Sequence, residues 1–257
     1  MIPPAGRALF SDLDALAARF SALAGKNGRI ALLDLTRLQP LLEQDEGLRF
    51  VTTLLSPAEA RLFTGFTYPK RRLEWLGGRL AAKHCLSRHP AAGRTPASWY
   101  CDYSLLPDGN GCPRLDTLPG HEPAPAISIS HSRGYAAALA SATSACGIDI
   151  QQKTAQLAKV RERFTSEAEL ALLRRIPDQL TRLGMIWAAK EAVKKCLLFD
   201  QSTFFGTISL IEFAHEPEET IRMARCQVVG PSRTSVVVRI AEFGDYLIAC
   251  TVGERDA

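Results

Sequence analysis

The chain has 257 residues, of which 46% are hydrophobic and 23% are charged, and its formal net charge is +4. This length and composition are sufficient for a substantial apolar core, in one large domain or in two small ones. The mild basic bias suits a phosphorylated ligand, an acidic protein partner or nucleic acid, and it selects none of them. No run approaches the ~20 apolar residues that cross a bilayer, and the N-terminus lacks a secretion signal, so we expect a cytoplasmic protein that makes no membrane contact.

Seven cysteines are scattered along the chain, and no two of them form a C-x-x-C pair. An odd number without paired spacing disfavours both a zinc site and a disulfide framework. We therefore expect reduced thiols.

The first half of the chain begins with an Ala-rich stretch, residues 15–24, in which apolar residues recur at helical spacing. The segment 29–35, which is mostly apolar, follows and predicts a buried strand. The sequence Ser-Pro-Ala-Glu at 56–59 is typical of a helix start, because Ser can cap the helix, Pro fits its first position and Glu can reach back from the third. A second helix is predicted over about 70–86.

The middle of the chain, residues 105–125, holds five prolines and three glycines and is predicted to be a surface loop between two halves. The second half then opens with two strands, 126–130 and 135–140, which can form a hairpin across Ser-Arg-Gly. Residues 147–150 predict a short third strand.

The second half repeats features of the first half. Ser-Glu-Ala-Glu at 166–169 follows Ser-Pro-Ala-Glu at an offset of 110 residues, and a four-residue pattern recurs at an offset of 111. That second pattern pairs Ala81, Lys83, Cys85 and Leu86 with Ala192, Lys194, Cys196 and Leu197. We interpret the repeat as an α+β fold of two similar pseudo-symmetric halves, 1–125 and 126–257, each a small antiparallel sheet packed with helices, with a ligand cleft between them.

The segment 187–195, Trp-Ala-Ala-Lys-Glu-Ala-Val-Lys-Lys, is predicted to be a helix with a charged side and an apolar side. At about 100° per residue, the apolar stripe is formed by Ile186, Val193 and Leu197. The charged side carries Trp187, Lys190, Glu191, Lys194 and Lys195. This side is either a solvated surface with a local Glu and Lys pair or a site that presents charge to a ligand.

Asp149 interrupts the apolar strand predicted at 147–150. A carboxylate at such a position needs a partner, because an isolated buried charge is costly. The simpler alternative is an Asp that caps the following helix or ends the strand. Asp149 and Glu191 together, however, supply two hard oxygen ligands, and two carboxylates plus substrate phosphates are a usual way of holding Mg²⁺.

These segments resemble the signature pair of the Sfp-type 4'-phosphopantetheinyl transferases. Gly-Ile-Asp-Ile at 147–150 is followed about forty residues later by Trp-x-x-Lys-Glu-Ala-x-x-Lys at 187–195, and the spacing matches the family. The segment Ile-Ser-His-Ser-x-Gly-Tyr at 129–135 is similar to the family's Ser-His segment, and residues 70–79 are similar to its first-half helix. The resemblance covers roughly residues 54–197.

The resemblance implies an enzyme that transfers the 4'-phosphopantetheine group of coenzyme A to a serine of an apo acyl or peptidyl carrier protein and releases 3',5'-adenosine bisphosphate. The carrier would belong to a fatty-acid synthase, a polyketide synthase or a peptide synthetase. The resemblance also implies Mg²⁺, with Mn²⁺ as an alternative, and coenzyme A in the cleft. The half 1–125 would face the 3'-phosphate, the half 126–257 would hold the metal, and the enzyme would act as a monomer.

By the same resemblance, Asp149 and Glu191 bind the metal at the pyrophosphate of coenzyme A, and Glu191 also removes the serine proton, directly or through water. Lys195 is implied to be catalytic, because its cation neutralises charge on the phosphates. Many relatives have Glu two residues after the Asp, where this chain has Gln151. An amide is a weaker ligand for a hard cation, so Gln151 or water would complete the metal site.

The residues that the resemblance assigns to coenzyme A are Arg71, Arg79, Asn110, Gly111, Ser130, His131, Lys190 and Lys195. Arg71, Arg79 and His131 would lie near the 3'-phosphate and the pyrophosphate. As alternatives, His131 is a hydrogen-bonded histidine at a strand end, and the two arginines are solvated helix charges. The family's Gly-Lys-Pro turn is Gly-Cys-Pro at 111–113 here, so a cation is lost from the coenzyme loop, and Arg114 either replaces it or points elsewhere.

Two other functions compete with transfer. The first is a relative that binds coenzyme A or a carrier protein without catalysis, which would not require Asp149, Lys190, Glu191 and Lys195 together. The second is nucleic-acid binding, suggested by Lys-Arg-Arg at 70–72. We expect no nucleic-acid partner, because the chain lacks a G-x-x-x-x-G-K-[ST] loop and a basic stripe interleaved with aromatic residues.

Overall fold

The structure is a computed structural model that describes residues 3–87, 97–116, 124–142, 145–198, 206–214, 220–229 and 234–253. The chain divides into two compact units, Met1–Thr143 and Ser144–Ala257. Within the described part of the chain, every helix is too short or too polar to cross a membrane.

The first unit combines six helices and five strands among its described residues. Its elements are α1 (Pro4–Phe20), β1 (Gly28–Asp34), α2 (Leu35–Leu42), α3 (Asp45–Thr52), α4 (Pro57–Thr64), α5 (Pro69–Ser87), α6 (Ala97–Tyr100), β2 (Ser104–Pro107), β3 (Pro113–Asp116), β4 (Ala126–Ser132) and β5 (Tyr135–Ser141). A short 3₁₀ turn, Ser21–Ala24, extends α1.

An antiparallel sheet in the order β1-β5-β4 forms the centre of the first unit, and β2 and β3 form a separate hairpin. Arg133 and Gly134 join β4 to β5 with φ values of 35° and 92°, as a type I′ hairpin turn requires. The apolar core lies between the sheet and α1, α2 and α5, where Leu13, Leu33 and Leu76 are buried.

The second unit places one long helix on a five-stranded sheet. Its elements are β6 (Cys146–Gln152), α7 (Ala155–Lys159), α8 (Glu167–Leu172), α9 (Gln179–Leu197), β7 (Ile208–Ala214), β8 (Ile221–Val228), β9 (Thr234–Phe243) and β10 (Tyr246–Val252). The strands are antiparallel in the order β6-β10-β9-β8-β7. Buried side chains of α9, such as Ile186 and Val193, pack on Leu247 and Ala249 of β10.

A buried lysine paired with a helix-capping glutamate anchors α5 in the first unit. Ser56 and Glu59 form a capping box at the start of α4. Lys83 pairs with Glu59 and donates to the Leu54 carbonyl at 3.0 Å. The other oxygen of Glu59 accepts the amide of Leu105 on β2 at 3.1 Å.

The second unit repeats this arrangement on α9. Ser166 and Glu169 form a capping box at the start of α8. Lys190 lies 2.6 Å from Glu169 Oε1 and donates to the Phe164 carbonyl at 2.7 Å. Glu169 also accepts the amide of Leu210 on β7 at 2.8 Å. In both units the accepting carbonyl therefore lies two residues before the capping serine.

These contacts confirm the repeat of the two helix starts and correct its register in the long helices. By its partners Lys83 corresponds to Lys190, so Leu-Ala-Ala-Lys at 80–83 matches Trp-Ala-Ala-Lys at 187–190, at an offset of 107. The sequence-based pairing of Lys83 with Lys194 was wrong by one helical turn. Residues four apart lie on the same helix face, so a short pattern does not distinguish these registers.

Most predicted elements are confirmed, with two corrections. The proline-rich segment 105–125 is not a plain loop, since β2 and β3 form a hairpin within it; residues 117–123 lie outside the described residues. The sequence placed the division of the chain between residues 125 and 126, whereas the units divide after Thr143. The reason is that β4 and β5 complete the sheet that begins with β1. The prediction of a mixed helical and antiparallel fold is confirmed.

Candidate active site

The candidate site is built where α9 crosses β6 at very short range. A Cβ atom on Gly147 would lie 1.8 Å from the carbonyl oxygen of Ala192, so only glycine allows this approach. Alternate residues of a strand share a face, and Asp149 and Gln151 therefore lie on the face that meets α9. The close approach brings Asp149 within reach of Lys195, one helical turn beyond Glu191.

Asp149 lies in the middle of β6 and is 5% exposed. Its Oδ1 is 2.8 Å from Lys195 Nζ, which also donates to the Ile148 carbonyl at 3.0 Å. The partner that a buried carboxylate needs is thus a lysine of the neighbouring helix. The alternative in which Asp149 ends the strand or caps a helix is wrong, because the strand continues for three more residues.

Glu191 is half-buried beside this ion pair. Burial raises the pKa of its carboxyl group, and the negative charge of Asp149 raises it further, while Lys195 and Lys194 act in the opposite direction. The charges of Asp149 and Lys195 therefore both act on Glu191, in addition to the larger effect of burial. A cation bound by both carboxylates would offset the repulsion between their charges.

The donors of this group fit a hard divalent cation. Asp149 and Glu191 offer anionic oxygens, which Mg²⁺ prefers. The pKa of Glu191 is raised first by burial and then by the charge of Asp149, and a bound cation would offset that second effect. Within the described ranges, no cluster of three or more His, Cys, Asp or Glu could hold a metal. A cation here would hence take two protein carboxylates and complete its shell with amide, water or ligand oxygens.

Gln151 lies two residues beyond Asp149 on the same strand face. Its Nε2 donates to the carbonyl oxygen of Gln152 at 2.8 Å. This contact turns the amide nitrogen toward the strand's own backbone. A role for Gln151 as a third metal ligand stays a prediction.

Lys190 does not share the exposed side of α9. It is 5% exposed, and its ammonium group contacts Glu169 and Phe164, as described above. The predicted charged side of this helix is therefore divided, with Lys190 turned into the unit and Lys194 and Lys195 partly exposed. The alternative that the whole charged side of α9 is a solvated surface is therefore wrong, because Lys190 is buried.

Arg79 and Arg71 lie on α5 in different surroundings. Arg79 is buried; its Nε donates to the Leu105 carbonyl at 2.9 Å, and its guanidinium lies 4.9 Å from the ring centre of Trp75. Burial lowers the pKa of Arg79 to about 10. Arg71 is exposed, with its guanidinium carbon 5.8 Å from the Phe66 ring centre. The solvated-charge alternative is thus wrong for Arg79 and remains open for Arg71.

His131 lies one residue before the end of β4 and next to α5. Its Nδ1 is 3.7 Å from Oε1 of Glu74, and Glu74 also lies 3.8 Å from Lys70 Nζ. Ser130, the residue before it, is buried. The structure thus brings His131 to the helix that carries both predicted arginines, and Glu74 joins the two elements.

Asn110 and Gly111 occupy the exposed turn between β2 and β3. Asp108 organises this turn, since its Oδ1 accepts the amides of Asn110 and Cys112, each at 2.9 Å. Gly111 has a φ of +82°, which glycine adopts without strain. Arg114 donates through Nε to the other oxygen of Asp108 at 3.0 Å, so this turn already holds a paired cation.

Sequence reasoning missed three acidic residues that organise these groups: Glu74, Asp108 and Glu169. Glu169 was recognised only as part of a helix start, because its other partners, Lys190 and Leu210, are distant in sequence. Asp108 in the order Asp-Gly-Asn-Gly is typical of a turn that hydrogen-bonds its own backbone. Glu74 lies in the segment that resembles the family helix, but nothing in its spacing indicates contact with His131.

Comparison with known proteins matches the segment that contains the carboxylates. A family model described as the 4'-phosphopantetheinyl transferase superfamily matches residues 145–251. The holo-[acyl-carrier-protein] synthase of Geobacillus sp. (strain WCH70) is 33% identical over 109 residues, which are 42% of this chain and 88% of that protein. The enzyme of the same name from Streptococcus agalactiae serotype III (strain NEM316) is 33% identical over 107 residues, 41% of this chain and 88% of that protein.

Solved structures give weaker overall likeness. The holo-(acyl-carrier-protein) synthase of Bacillus anthracis str. Ames, in complex with CoA (3',5'-ADP), has a TM-score of 0.38 and 27% identity, and the match covers 44% of this chain and 92% of that one. The Helicobacter pylori holo-[acyl-carrier-protein] synthase in complex with coenzyme A has a TM-score of 0.37 and 20% identity, and the match covers 45% of this chain and 99% of that one.

A buried aspartate paired with a lysine and a half-buried glutamate of raised pKa form a group whose carboxylate oxygens fit a hard cation. The match over residues 145–251 includes all three of these residues. The chain belongs to the 4'-phosphopantetheinyl transferase superfamily. The family resemblance read from the sequence is therefore confirmed.

Proposed function

We propose that this protein transfers the 4'-phosphopantetheine group of coenzyme A to a serine of an apo acyl or peptidyl carrier protein and releases 3',5'-adenosine bisphosphate. The observation that carries the proposal is the group formed by Asp149, Glu191 and Lys195 within the segment that matches the superfamily. The names of the relatives, holo-[acyl-carrier-protein] synthases, support the same reaction.

Asp149 and Glu191 would hold Mg²⁺, or Mn²⁺ in its place, with Gln151 or water as a further ligand. When bound, the cation would neutralise the negative charge of the pyrophosphate of coenzyme A. Lys195 uses two of its three N–H groups for Asp149 and Ile148 among the described residues, so one N–H is available for a phosphate oxygen.

The reaction exchanges one phosphorus–oxygen bond for another. The serine hydroxyl oxygen attacks the β-phosphorus, and the bond from that phosphorus to the bridging oxygen breaks, so the electron pair leaves with 3',5'-adenosine bisphosphate. Glu191 would accept the serine proton, directly or through water. Its raised pKa favours this role, because a general base works best when its pKa approaches the operating pH.

Residues of the first unit would bind the rest of coenzyme A. We assign the 3'-phosphate and the pyrophosphate to Arg71, Arg79 and His131, and further contacts to Ser130 and to the turn at Asn110 and Gly111. Because the Nε of Arg79 is engaged by Leu105, a phosphate contact falls to its terminal nitrogens. Since one chain carries both units, we further propose that the enzyme acts as a monomer, which sedimentation equilibrium can test.

The direct experiment is incubation of the purified protein with coenzyme A, Mg²⁺ and a panel of apo carrier proteins, followed by intact-mass measurement. We expect the mass of at least one carrier to rise by one phosphopantetheine group, only when both coenzyme A and Mg²⁺ are present. A carrier whose acceptor serine is replaced by alanine serves as the control. Tight coenzyme A binding by calorimetry without modification of any carrier would favour the non-catalytic alternative.

A further inference from the structure

The two buried lysines occupy equivalent scaffolds, but the residues that follow them differ. His84 follows Lys83; its Nδ1 is 2.9 Å from the Tyr100 hydroxyl and its Nε2 is 3.3 Å from Asp14 Oδ1. Glu191 follows Lys190 and is coupled to the charge of Asp149. The same helix position therefore carries a hydrogen-bonded histidine in one unit and a carboxylate of the proposed site in the other.

α9 is held from two directions at this point. On one side, the Ala192 carbonyl meets Gly147, and Lys195 pairs with Asp149 of β6. On another side, Lys190 reaches the segment that leads into α8. Contacts on different sides of one helix fix its rotation about its own axis, and this rotation decides where the Glu191 side chain points.

The buried ion pair of Lys190 and Glu169 leaves either side chain little freedom to move. Lys190 and Glu169 are both about 5% exposed, so each would leave a costly unpaired charge if the other moved away. Glu169 is itself fixed by the amides of Ser166 and Leu210, at 2.8 Å each. The lysine is consequently anchored to a rigid partner rather than to a mobile side chain.

We propose that Lys190 and Glu169 form a positioning pair that sets the rotation of α9 and thereby holds Glu191 against Asp149, and that Lys190 makes no contact with coenzyme A. This inference rests on the proposed transfer reaction. It gives Lys190 a role different from the phosphate contact implied by the family resemblance. Lys190 then acts on the reaction through Glu191.

The test compares two matched double variants. Glu169→Gln/Lys190→Met removes the charges of the proposed pair, and Glu59→Gln/Lys83→Met removes those of its counterpart. Both should lower the thermal midpoint by similar amounts. Only the first should lower kcat, by about 10- to 100-fold, because displacement of a reacting group by about 1 Å has effects of that size. The dissociation constant of coenzyme A, measured by calorimetry, should stay within about twofold of the parent value, well under the tenfold that corresponds to 1.4 kcal/mol.

Rates are measured at saturating coenzyme A, below the unfolding range of every variant. Saturation matters for the control, because Arg79 and Glu59 both contact Leu105, so the control variant can affect coenzyme binding. Weakened coenzyme A binding with unchanged kcat in Glu169→Gln/Lys190→Met would overturn the proposal in favour of a phosphate contact. Equal kcat losses in the two double variants would overturn it as well, since loosening of either unit would then suffice.

A milder pair of variants covers the case in which the first double variant does not fold. Ser166→Ala removes the hydroxyl that accepts the Glu169 amide and donates to the Glu169 carboxylate. Ser56→Ala removes the hydroxyl that accepts the Glu59 amide and contacts the Ser104 hydroxyl. We expect a several-fold loss of kcat for Ser166→Ala and none for Ser56→Ala, and equal rates in both would contradict the proposal. A parent protein that modifies no carrier refutes the transfer reaction itself, whereas an active parent with unaffected variants refutes only the positioning role.

Discussion

Asp149 combines a buried position with a salt bridge to Lys195, so its replacement tests charge more than packing. We predict that Asp149→Ala abolishes transfer and leaves the fold intact, because a small side chain is removed and Lys195 is exposed enough to be solvated. Activity by carrier mass shift and circular dichroism check the two parts. Near-parental activity at saturating Mg²⁺ would contradict the metal role.

In the proposed reaction, Glu191 has two roles: it binds the cation and it accepts the serine proton. Glu191→Gln keeps the size and one oxygen but loses both charge and basicity. We predict a fall in kcat of at least ~10²-fold that added Mg²⁺ does not reverse, because metal occupancy cannot replace a general base. A Mg²⁺ titration of kcat measures this, and full recovery at high Mg²⁺ would reduce Glu191 to a ligand.

The raised pKa of Glu191 also affects stability. A carboxyl group with a higher pKa in the folded than in the unfolded protein binds more protons when folded, so its ionisation destabilises the fold at neutral pH. We predict that Glu191→Gln increases the free energy of unfolding of the metal-free protein at about pH 8, and that the gain shrinks as the pH falls through the raised pKa toward the usual value of about 4.3. Urea denaturation of both proteins with a chelator at several pH values measures this difference in the free energy of unfolding. A difference that does not vary with pH would argue against the raised pKa of Glu191 as its cause.

At the scale of elements, the contact between β6 and α9 depends on the absence of a side chain. We predict that Gly147→Ala lowers the free energy of unfolding by more than about 3 kcal/mol, because its Cβ would lie 1.8 Å from a backbone carbonyl that cannot move without shifting the helix. Gly109→Ala is the matched control, since no atom lies within 4 Å of its added Cβ, and it should change stability by less than about 0.5 kcal/mol. Urea denaturation of both variants decides the matter, and equal losses would exclude the steric explanation.

Elements were predictable where local chemistry alone determines them. The hairpin formed by β4 and β5 and the two capping boxes follow from turn and cap residues a few positions apart. The hairpin formed by β2 and β3 was missed because its four-residue strands begin or end in proline, which usually indicates a loop. Pro107 and Pro113 face each other at the end of this ladder, where proline is tolerated.

The sequence singled out Asp149, Glu191 and Lys195 as one group, and the structure brings their charges together. The orientation of the neighbouring side chains was not predicted. The motif around Asp149 and Glu191 identified the carboxylates, and the structure supplied Lys195 as the partner of Asp149. Burial of Lys190 could not be predicted, because α9 is buried on most of its surface and its periodicity therefore carries little signal. The partner that stabilises Lys190 comes from a separate helix, which no local pattern encodes.

At the scale of the whole molecule, the net charge of +4 favours a ligand as anionic as coenzyme A. We predict that the dissociation constant for coenzyme A rises several-fold between about 0.01 M and about 0.5 M salt, because the screening length falls from about 30 Å to below 10 Å over that range. Calorimetry at constant Mg²⁺ measures it. Coenzyme A without its 3'-phosphate should show a smaller rise, and salt-independent binding of both would count against recognition by charge.

The close approach at Gly147 has a consequence for saturation mutagenesis of this gene. Positions 147 and 149 are neighbours on one strand face, and a screen that selects for carrier modification alone would score both as intolerant. The causes are opposite, since Gly147 contributes no functional atom and excludes every side chain, whereas Asp149 contributes its charge. A parallel screen for protein abundance would deplete substitutions at 147 and retain most of those at 149. The difference between the two maps would separate residues that allow the site to form from residues that supply its charge.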